Sequence, residues 1–273
     1  MISRWQRPTD GDSWIMGVLN CTPDSFSDGG SFFDVDKAVA HGLAMQEAGA
    51  AIIDVGGEST RPGSKPVPLE QELLRVLPVV QALVDAGCNV SVDTMKAEVM
   101  AQAVAAGASM VNDVSALSHD EKSLHVVAES GVDVCLMHMQ GNPEMMQDSP
   151  RYANVVDEVA SFFEQRIEAC LQAGIKEHAI LIDPGIGFGK RLEDNLALIQ
   201  ATAEFKRRFA MPLLLGLSRK SFIAQLTGAP VEDREIETAV AGGIGISQGA
   251  DILRVHDVPL QARAIRVASA LSM

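Results

Sequence analysis

Residues 48–63 read AGAAIIDVGGESTRPG. Three signals stand there in a row. A small-residue helix stop, AGA (48–50), runs straight into a short apolar stretch, AIIDVGG (51–57), which breaks into a polar loop, ESTRPG. Glycine at a helix C-terminus with a strand directly behind it is the chemistry of an αβ loop.

The same unit recurs along the chain. Val- and Ile-rich runs at WIMGVLN (14–20), NVSVDT (89–94), MVNDVS (110–115), VDVCLMHM (132–139), AILIDPG (179–185), PLLLGLS (212–218) and ADILRVH (250–256) bring the number to eight. Each has strand length, and their interiors are apolar on both faces, as buried parallel strands are. Small-residue stops precede most of them: AG (86–87), AAGA (105–108), ESG (129–131), QAG (172–174) and SQGA (247–250). The stretches between have a 3.6-residue period. In 69–86 it predicts a buried face of Leu73, Leu74, Leu77, Val80, Leu83 and Val84; in 151–174 the set is Val155, Val159, Phe162, Phe163, Ile167 and Cys170. Residues 195–209 and 259–271 are similar.

Eight units in 273 residues average about 34 each, near the ~30 of a βαβ element. The pattern predicts an α/β chain, a closed (β/α)8 TIM barrel forming a single domain over 1–273 with its core in 14–272. An open doubly wound sheet is the rival, but eight parallel strands with no linker favour closure.

Hydrophobic content of 47% and charged content of 21% are ordinary for a globular chain, while aromatics at 4% require an aliphatic core. A net charge of −14 argues against a nucleic-acid partner, whose phosphates it would repel. A small anion is not excluded, because a few converging cations override the global field at short range. Cys21, Cys88, Cys135 and Cys170 form no CxxC, so neither a zinc site nor a disulfide framework is expected. The N-terminus, MISRWQRPTDGDSW, has no apolar signal region, and no run nears the ~18 apolar residues of a membrane span. A cytoplasmic protein with no membrane partner is expected.

In a barrel of this kind chemistry gathers at the C-terminal ends of the strands. Asn20, Asp54, Asp93, Asn112 with Asp113, His138, Asp183, Ser218 with Arg219 and Lys220, and Arg254 with His256 stand at or near those ends. One such aspartate is accounted for by capping the next helix; a polar group on all eight strands is not.

The run LIDPGIGFGK (181–190) resembles a phosphate cradle but fails both fingerprints, since Pro184 and Lys190 stand where glycines are required. Its glycines are better read as letting the backbone and Phe188 approach something flat. Asp183, ahead of Pro184, is held extended and is expected to project from the rim. Acids at Asp93 and Asp183 with an amide at Asn112 suit a neutral ligand rich in N–H donors, because one carboxylate accepts two side by side. A 2-amino-4-oxo-pyrimidine edge fits. Arg61, Lys220, Arg254 and His256 are cationic and suit an anion. The pattern asks for a substrate with a flat donor-rich end and an anionic end.

Eight blocks between residues 15 and 258, in order NCTPDSFSDGG, IIDVGGESTRPG, SVDT, VNDVSA, LMHMQGNP, DPGIGFGK, LSRKSF and RVHDV, resemble the dihydropteroate synthases among the pterin-binding enzymes. The resemblance implies a (β/α)8 barrel that joins 6-hydroxymethyl-7,8-dihydropterin diphosphate to p-aminobenzoate. The products are 7,8-dihydropteroate and diphosphate, in folate biosynthesis. It further implies that Mg2+ assists, that sulfonamides compete with p-aminobenzoate, and that the protein is a homodimer. Carried over by position, Asp93, Asn112, Asp183 and Lys220 resemble the pterin-binding set, with Met137 and Phe188 packing near the ring. Asn20, Arg254 and His256 resemble the diphosphate site, with Asn20 the direct protein ligand of the metal. Thr60, Arg61, Pro62 and Ser218 resemble the residues around p-aminobenzoate; Phe26 and Asp28 lie in a first loop that closes over the site together with the ESTRPG loop. The catalytic set implied is Asp28, Asp93, Asp183, Lys220 and Arg254, with the three aspartates favouring a cation on the pterin methylene along an SN1-like path.

Blander readings stand beside these. Lys220 follows Arg219 beyond its strand, unlike a Schiff-base lysine set in an apolar strand interior. His138 is also explained as a packed strand-end residue, Lys190 and Arg191 as solvated helix-start residues, and Met145 with Met146 as packing. Two other functions share the acidic pocket: a pterin-dependent methyltransferase with a corrinoid partner, which needs no SRKSF block, and a non-catalytic pterin-binding paralogue.

Overall fold

The computed structural model describes residues 3–7, 13–22, 34–61 and 63–271. The eight apolar runs are the strands β1 Trp14–Asn20, β2 Ile52–Gly56, β3 Val90–Asp93, β4 Met110–Asp113, β5 Asp133–Met137, β6 Ile180–Asp183, β7 Leu214–Leu215 and β8 Ile252–Val255. All pair in parallel, in the order β6-β5-β4-β3-β2-β1-β8-β7. A bridge between Ile182 and Leu213, with the Ile182 N–H donating to Pro212 O at 3.0 Å, joins β6 to the approach to β7 and closes the ring. β7 is short because side chains replace part of its ladder: the Leu213 N–H donates to Asp251 Oδ2 at 2.7 Å, and Pro212 has no N–H to give.

Helices fill the outer layer. Helix Leu69–Asp85 buries Glu72, Val76, Val79, Val80 and Leu83. The face read from the sequence is therefore rotated: Val80 and Leu83 hold, Leu73, Leu77 and Val84 are half-buried at its sides, and Leu74 is 73% exposed. Helix Val155–Gln172 starts at Asn154, whose side chain accepts from Val156 N and Asp157 N, and it buries Val155, Val159, Phe163, Ile167 and Cys170. The segment 195–209 is two helices, Leu192–Gln200 and Thr202–Phe209, broken at Ala201. The glycines of helix Glu235–Ser247 allow close packing: a Cβ on Gly245 would stand 2.7 Å from Leu215 Cδ1.

The floor of the barrel is a layer of Met16, Ile52, Met110, Cys135, Leu181, Leu214 and Ile252, closed from below by Trp5. The Trp5 indole N–H donates to Asp133 Oδ2 at 2.8 Å, and Trp14 meets its ring edge-on at 6.0 Å. This seal had no signal in the sequence, where Trp5 stands in a mostly polar N-terminal segment with no helical or strand period. Side chains two residues apart on a strand share a face. The residues two steps beyond this floor are Val18, Asp54, Asn112, Met137, Asp183, Gly216 and Arg254. The alternation that packs the floor thus delivers four polar side chains, Asp54, Asn112, Asp183 and Arg254, to the barrel mouth. Among the described residues, no helix is long and apolar enough to cross a membrane.

Candidate active site

The acidic wall is built from β2, β3, β4 and β6. Asp54, Asp93, Asn112 and Asp183 are all buried there. Asn112 Nδ2 donates to Asp54 Oδ2 at 3.0 Å. Asp183 Oδ1 accepts the Gly185 N–H at 2.7 Å, which turns the carboxylate inward to the mouth instead of outward from the rim. Asp54 Oδ1 and Asp93 Oδ1 are buried acceptors with no partner among the described residues. Such groups are costly unless something supplies their hydrogen bonds. Burial pushes the Asp183 carboxyl above the ordinary range against the Gly185 hydrogen bond, and burial raises Asp93 against the pull of Arg254.

Arg254 reaches from β8 across the mouth. Its Nε donates to Asp54 Oδ2 at 2.7 Å and its Nη2 to Asp93 Oδ2 at 2.7 Å. Nη1 makes no hydrogen bond among the described residues. Beside it, Ser218 Oγ and His256 Nδ1 are 2.9 Å apart. Burial, then the charge of Arg254, lowers His256 to a pKa of about 3, so the ring is neutral in the ligand-free protein. Burial and Arg254 together lower Lys220 to about 7, against the attraction of Asp183 and Asp93. Its ammonium lies 3.9 Å from the centre of the Phe188 ring.

The apolar wall comes from the loops after β5 and β6. Met137 and Phe188 pack with Val114 and Met146. Gly185, Gly187 and Gly189 all have positive φ. A Cβ on Gly185 would overlap His138 O, and one on Gly189 would lie 2.6 Å from Gln140 O. The glycines therefore admit the neighbouring backbone and set Phe188 against the pocket.

Lys190 is not a solvated helix-start residue. It is 3% exposed, and its ammonium donates to Phe188 O at 2.9 Å and to His138 O at 3.1 Å, with His138 Nδ1 also at 3.1 Å. Its acceptors are backbone carbonyls and a ring nitrogen, which no sequence pattern advertises. Arg191 does stand at a helix start, where its guanidinium holds Asp194. His138 is a packed residue, edge-on to Phe162 at 4.8 Å. Asp113 points away from the mouth and caps a turn through Ser115 N and Leu117 N.

Of the residues singled out in the sequence, Asp93, Asn112, Met137, Asp183, Phe188, Ser218, Lys220, Arg254 and His256 gather in this one mouth. Asn20 ends β1 in register with Gly56. Thr60 is half-buried and Arg61 exposed in the loop after β2, and the charge of Arg61 is felt at Lys220 and His256. Phe26, Asp28 and Pro62 lie outside the described residues. Asp54 was the functional candidate left without a role. Its signal was present, an acid inside an otherwise apolar run.

A model of the pterin binding enzymes matches residues 16–256. Dihydropteroate synthase of Escherichia coli strain K12 is 48% identical over 257 residues, covering 94% of this chain and 90% of the relative. The chain belongs to the dihydropteroate synthase family of pterin-binding enzymes. Two solved dihydropteroate synthases carry the likeness into three dimensions. That of Yersinia pestis, in a sulfonamide drug complex, superposes with a TM-score of 0.92 at 43% identity over 99% of this chain and 98% of its own. That of Xanthomonas albilineans, in complex with 7,8-dihydropteroate, has a TM-score of 0.87 at 44% identity over 97% and 95%. As a dihydropteroate synthase family member the chain is an enzyme transferring an alkyl group other than methyl.

Proposed function

We propose that the barrel mouth joins 6-hydroxymethyl-7,8-dihydropterin diphosphate to p-aminobenzoate by a dissociative path. The observation that carries this reading is the opposition of two walls. Buried carboxylate oxygens of Asp54 and Asp93 await donors, while Lys220 and the free edge of Arg254 face the same space. Asp93, Asn112 and Asp183 take the N–H-rich edge of the pterin, Met137 and Phe188 pack its faces, and Lys220 donates to its acceptors. The diphosphate falls to Arg254 Nη1 and His256. A neutral imidazole beside an arriving dianion gains a proton and becomes a second donor.

The bond from the pterin methylene to oxygen breaks first, and its electron pair leaves with diphosphate. The carboxylates of Asp93 and Asp183, already ordered, stabilise the cation left on the methylene. The aniline nitrogen of p-aminobenzoate then attacks and sheds its proton to water or to diphosphate. Thr60, Arg61 and Ser218 orient that second substrate. Pro62, Phe26 and Asp28 join them on the strength of their motifs alone.

Among the described residues no three His, Cys, Asp or Glu side chains cluster as a metal cage. The hard amide oxygen of Asn20 at a strand end suits Mg2+, which is held by one or two protein oxygens alongside substrate phosphate and water. When bound, the ion would neutralise charge developing on the leaving diphosphate.

Two copies are inferred to pair through the last two helices. Ile236, Val240 and Ile244 repeat every four residues along one face of helix Glu235–Ser247 and are 71%, 59% and 48% exposed, beside Val267 and Leu271 at 62% and 82%. A contiguous stripe of this kind marks an interface better than scattered single residues do. A cytoplasmic setting is inferred from four free, buried cysteines.

Incubation of the protein with the pterin diphosphate and Mg2+, without p-aminobenzoate, tests the path. Diphosphate release is expected. Release that occurs only with p-aminobenzoate present would replace the dissociative path by a concerted one, and no release in either case would reject the activity.

A further inference from the structure

The loop between β2 and helix Leu69–Asp85 is closed at its neck by a single carboxylate. Glu58, the first residue after Gly57, accepts the Val67 N–H at 3.0 Å across the base of the loop. The same Oε2 accepts from the Lys96 ammonium. Lys96 donates equally to Glu72 Oε2, and Glu72 Oε1 accepts the Thr94 hydroxyl at 2.6 Å. Glu72 is wholly buried on the helix that follows the loop, and Thr94 directly follows Asp93. Burial alone pulls the Lys96 ammonium down, but the hydrogen bonds to Glu58 and Glu72 outweigh it and hold the lysine charged. Arg75 Nη1 ties Gly57 O at 3.0 Å, and farther along the loop Gly63 N donates to Pro143 O at 3.1 Å. The neck is thus bound on both strands of the loop and to the strand end that carries Asp93.

A half-buried triad of two carboxylates and one ammonium, with only Glu72 fully enclosed, is a poor source of stability, since apolar residues of the same volume do as well. It is a good source of geometry. We propose that Glu58 and Lys96 are positioning residues: they clasp the neck of the loop, so that Thr60 and Arg61 are held over the second substrate in register with the pterin pocket. The inference rests on the reading of Thr60 and Arg61 as facing p-aminobenzoate. Compact loops with closed ends keep their shape through such internal ties.

Steady-state kinetics of the full-length Glu58→Ala variant tests the clasp. That change leaves the Lys96–Glu72 pair intact, so no buried charge is stranded. The KM for p-aminobenzoate is expected to rise about tenfold or more, the size of a lost charge-assisted hydrogen bond. The KM for the pterin diphosphate is expected to stay within about twofold. Glu58→Gln, which still accepts from Val67 N and Lys96, is expected to recover most of the loss. Arg61→Ala is run alongside and is expected to raise the p-aminobenzoate KM by itself. An unchanged p-aminobenzoate KM in Glu58→Ala, with a raised one in Arg61→Ala, would overturn the clasp and leave the loop's role standing. Equal rises in both KM values in Glu58→Ala would reduce the triad to general support. No effect of Arg61→Ala would remove the loop from p-aminobenzoate binding and the inference with it.

Discussion

Lys220 occupies a place where a lysine is costly. Burial and the nearby Arg254 depress its pKa from 10.5 to about 7, although Asp183 and Asp93 pull the other way. Between those two values the unfolded chain binds a proton that the folded chain releases, so the stability of the wild type rises with pH through that window. Below pH 7 both states hold the proton, and the full penalty is present. Lys220→Met is therefore expected to melt at a higher temperature than the wild type in the absence of ligand. The gain should be largest at pH 6 and smaller at pH 9, with activity lost at both. A variant that melts lower at pH 6 would mean that the ammonium stabilises the empty pocket. Asp54 and Asp93, each with a buried oxygen lacking a partner among the described residues, carry the same logic: the site is ordered for a ligand at the expense of the empty fold.

The loops after β5 and β6 act as one element. Lys190 joins His138 O to Phe188 O, Gln147 Nε2 donates to Gly187 O at 2.7 Å, and the Tyr152 hydroxyl donates to Gly189 O at 2.8 Å. Asn195 Oδ1 accepts the Gly187 N–H at 2.6 Å from the far side. Gly185→Ala would put a methyl into His138 O at a φ of 68°, and is expected to cost about 1–3 kcal/mol of stability. It should also weaken pterin binding through Phe188 while sparing p-aminobenzoate; thermal melts and ligand titrations check both. The glycines of this run were visible in the sequence, and so was their failure as a phosphate cradle. What required them was not, because His138 and Gln140 approach from another loop. The same limit explains Lys190, Glu58 and Lys96, whose partners are carbonyls or distant carboxylates. Strand positions were legible because a buried parallel strand needs a continuous apolar run that stops at a loop, and β1 matches its run from Trp14 to Asn20. The inward face of helix Leu69–Asp85 was less so, since apolar residues on its flanks pack against other helices and Leu74 meets solvent.

At the scale of the whole molecule, the barrel has a sealed floor, a polar mouth and one apolar stripe on its outer layer. Among the described residues, Trp5 and the layer above it close the floor, which leaves the strand C-terminal end as the mouth of the site. The stripe of Ile236, Val240 and Ile244 supplies no residue to the mouth. Val240→Lys combined with Ile244→Lys is expected to convert a dimer to a monomer in analytical ultracentrifugation, with kcat per chain retained. Unchanged sedimentation would contradict the inferred pairing through this stripe. The two walls of the mouth are tested most directly by calorimetric titration of Asp183→Asn against the wild type with each substrate. The substitution replaces one acceptor oxygen by a donor. The affinity for the pterin diphosphate is expected to fall about 10- to 100-fold, as for a lost charged hydrogen bond, and the affinity for p-aminobenzoate measured with diphosphate present to stay unchanged. Equal losses for both ligands, or no loss for the pterin, would contradict the assignment of the acidic wall to the pterin edge.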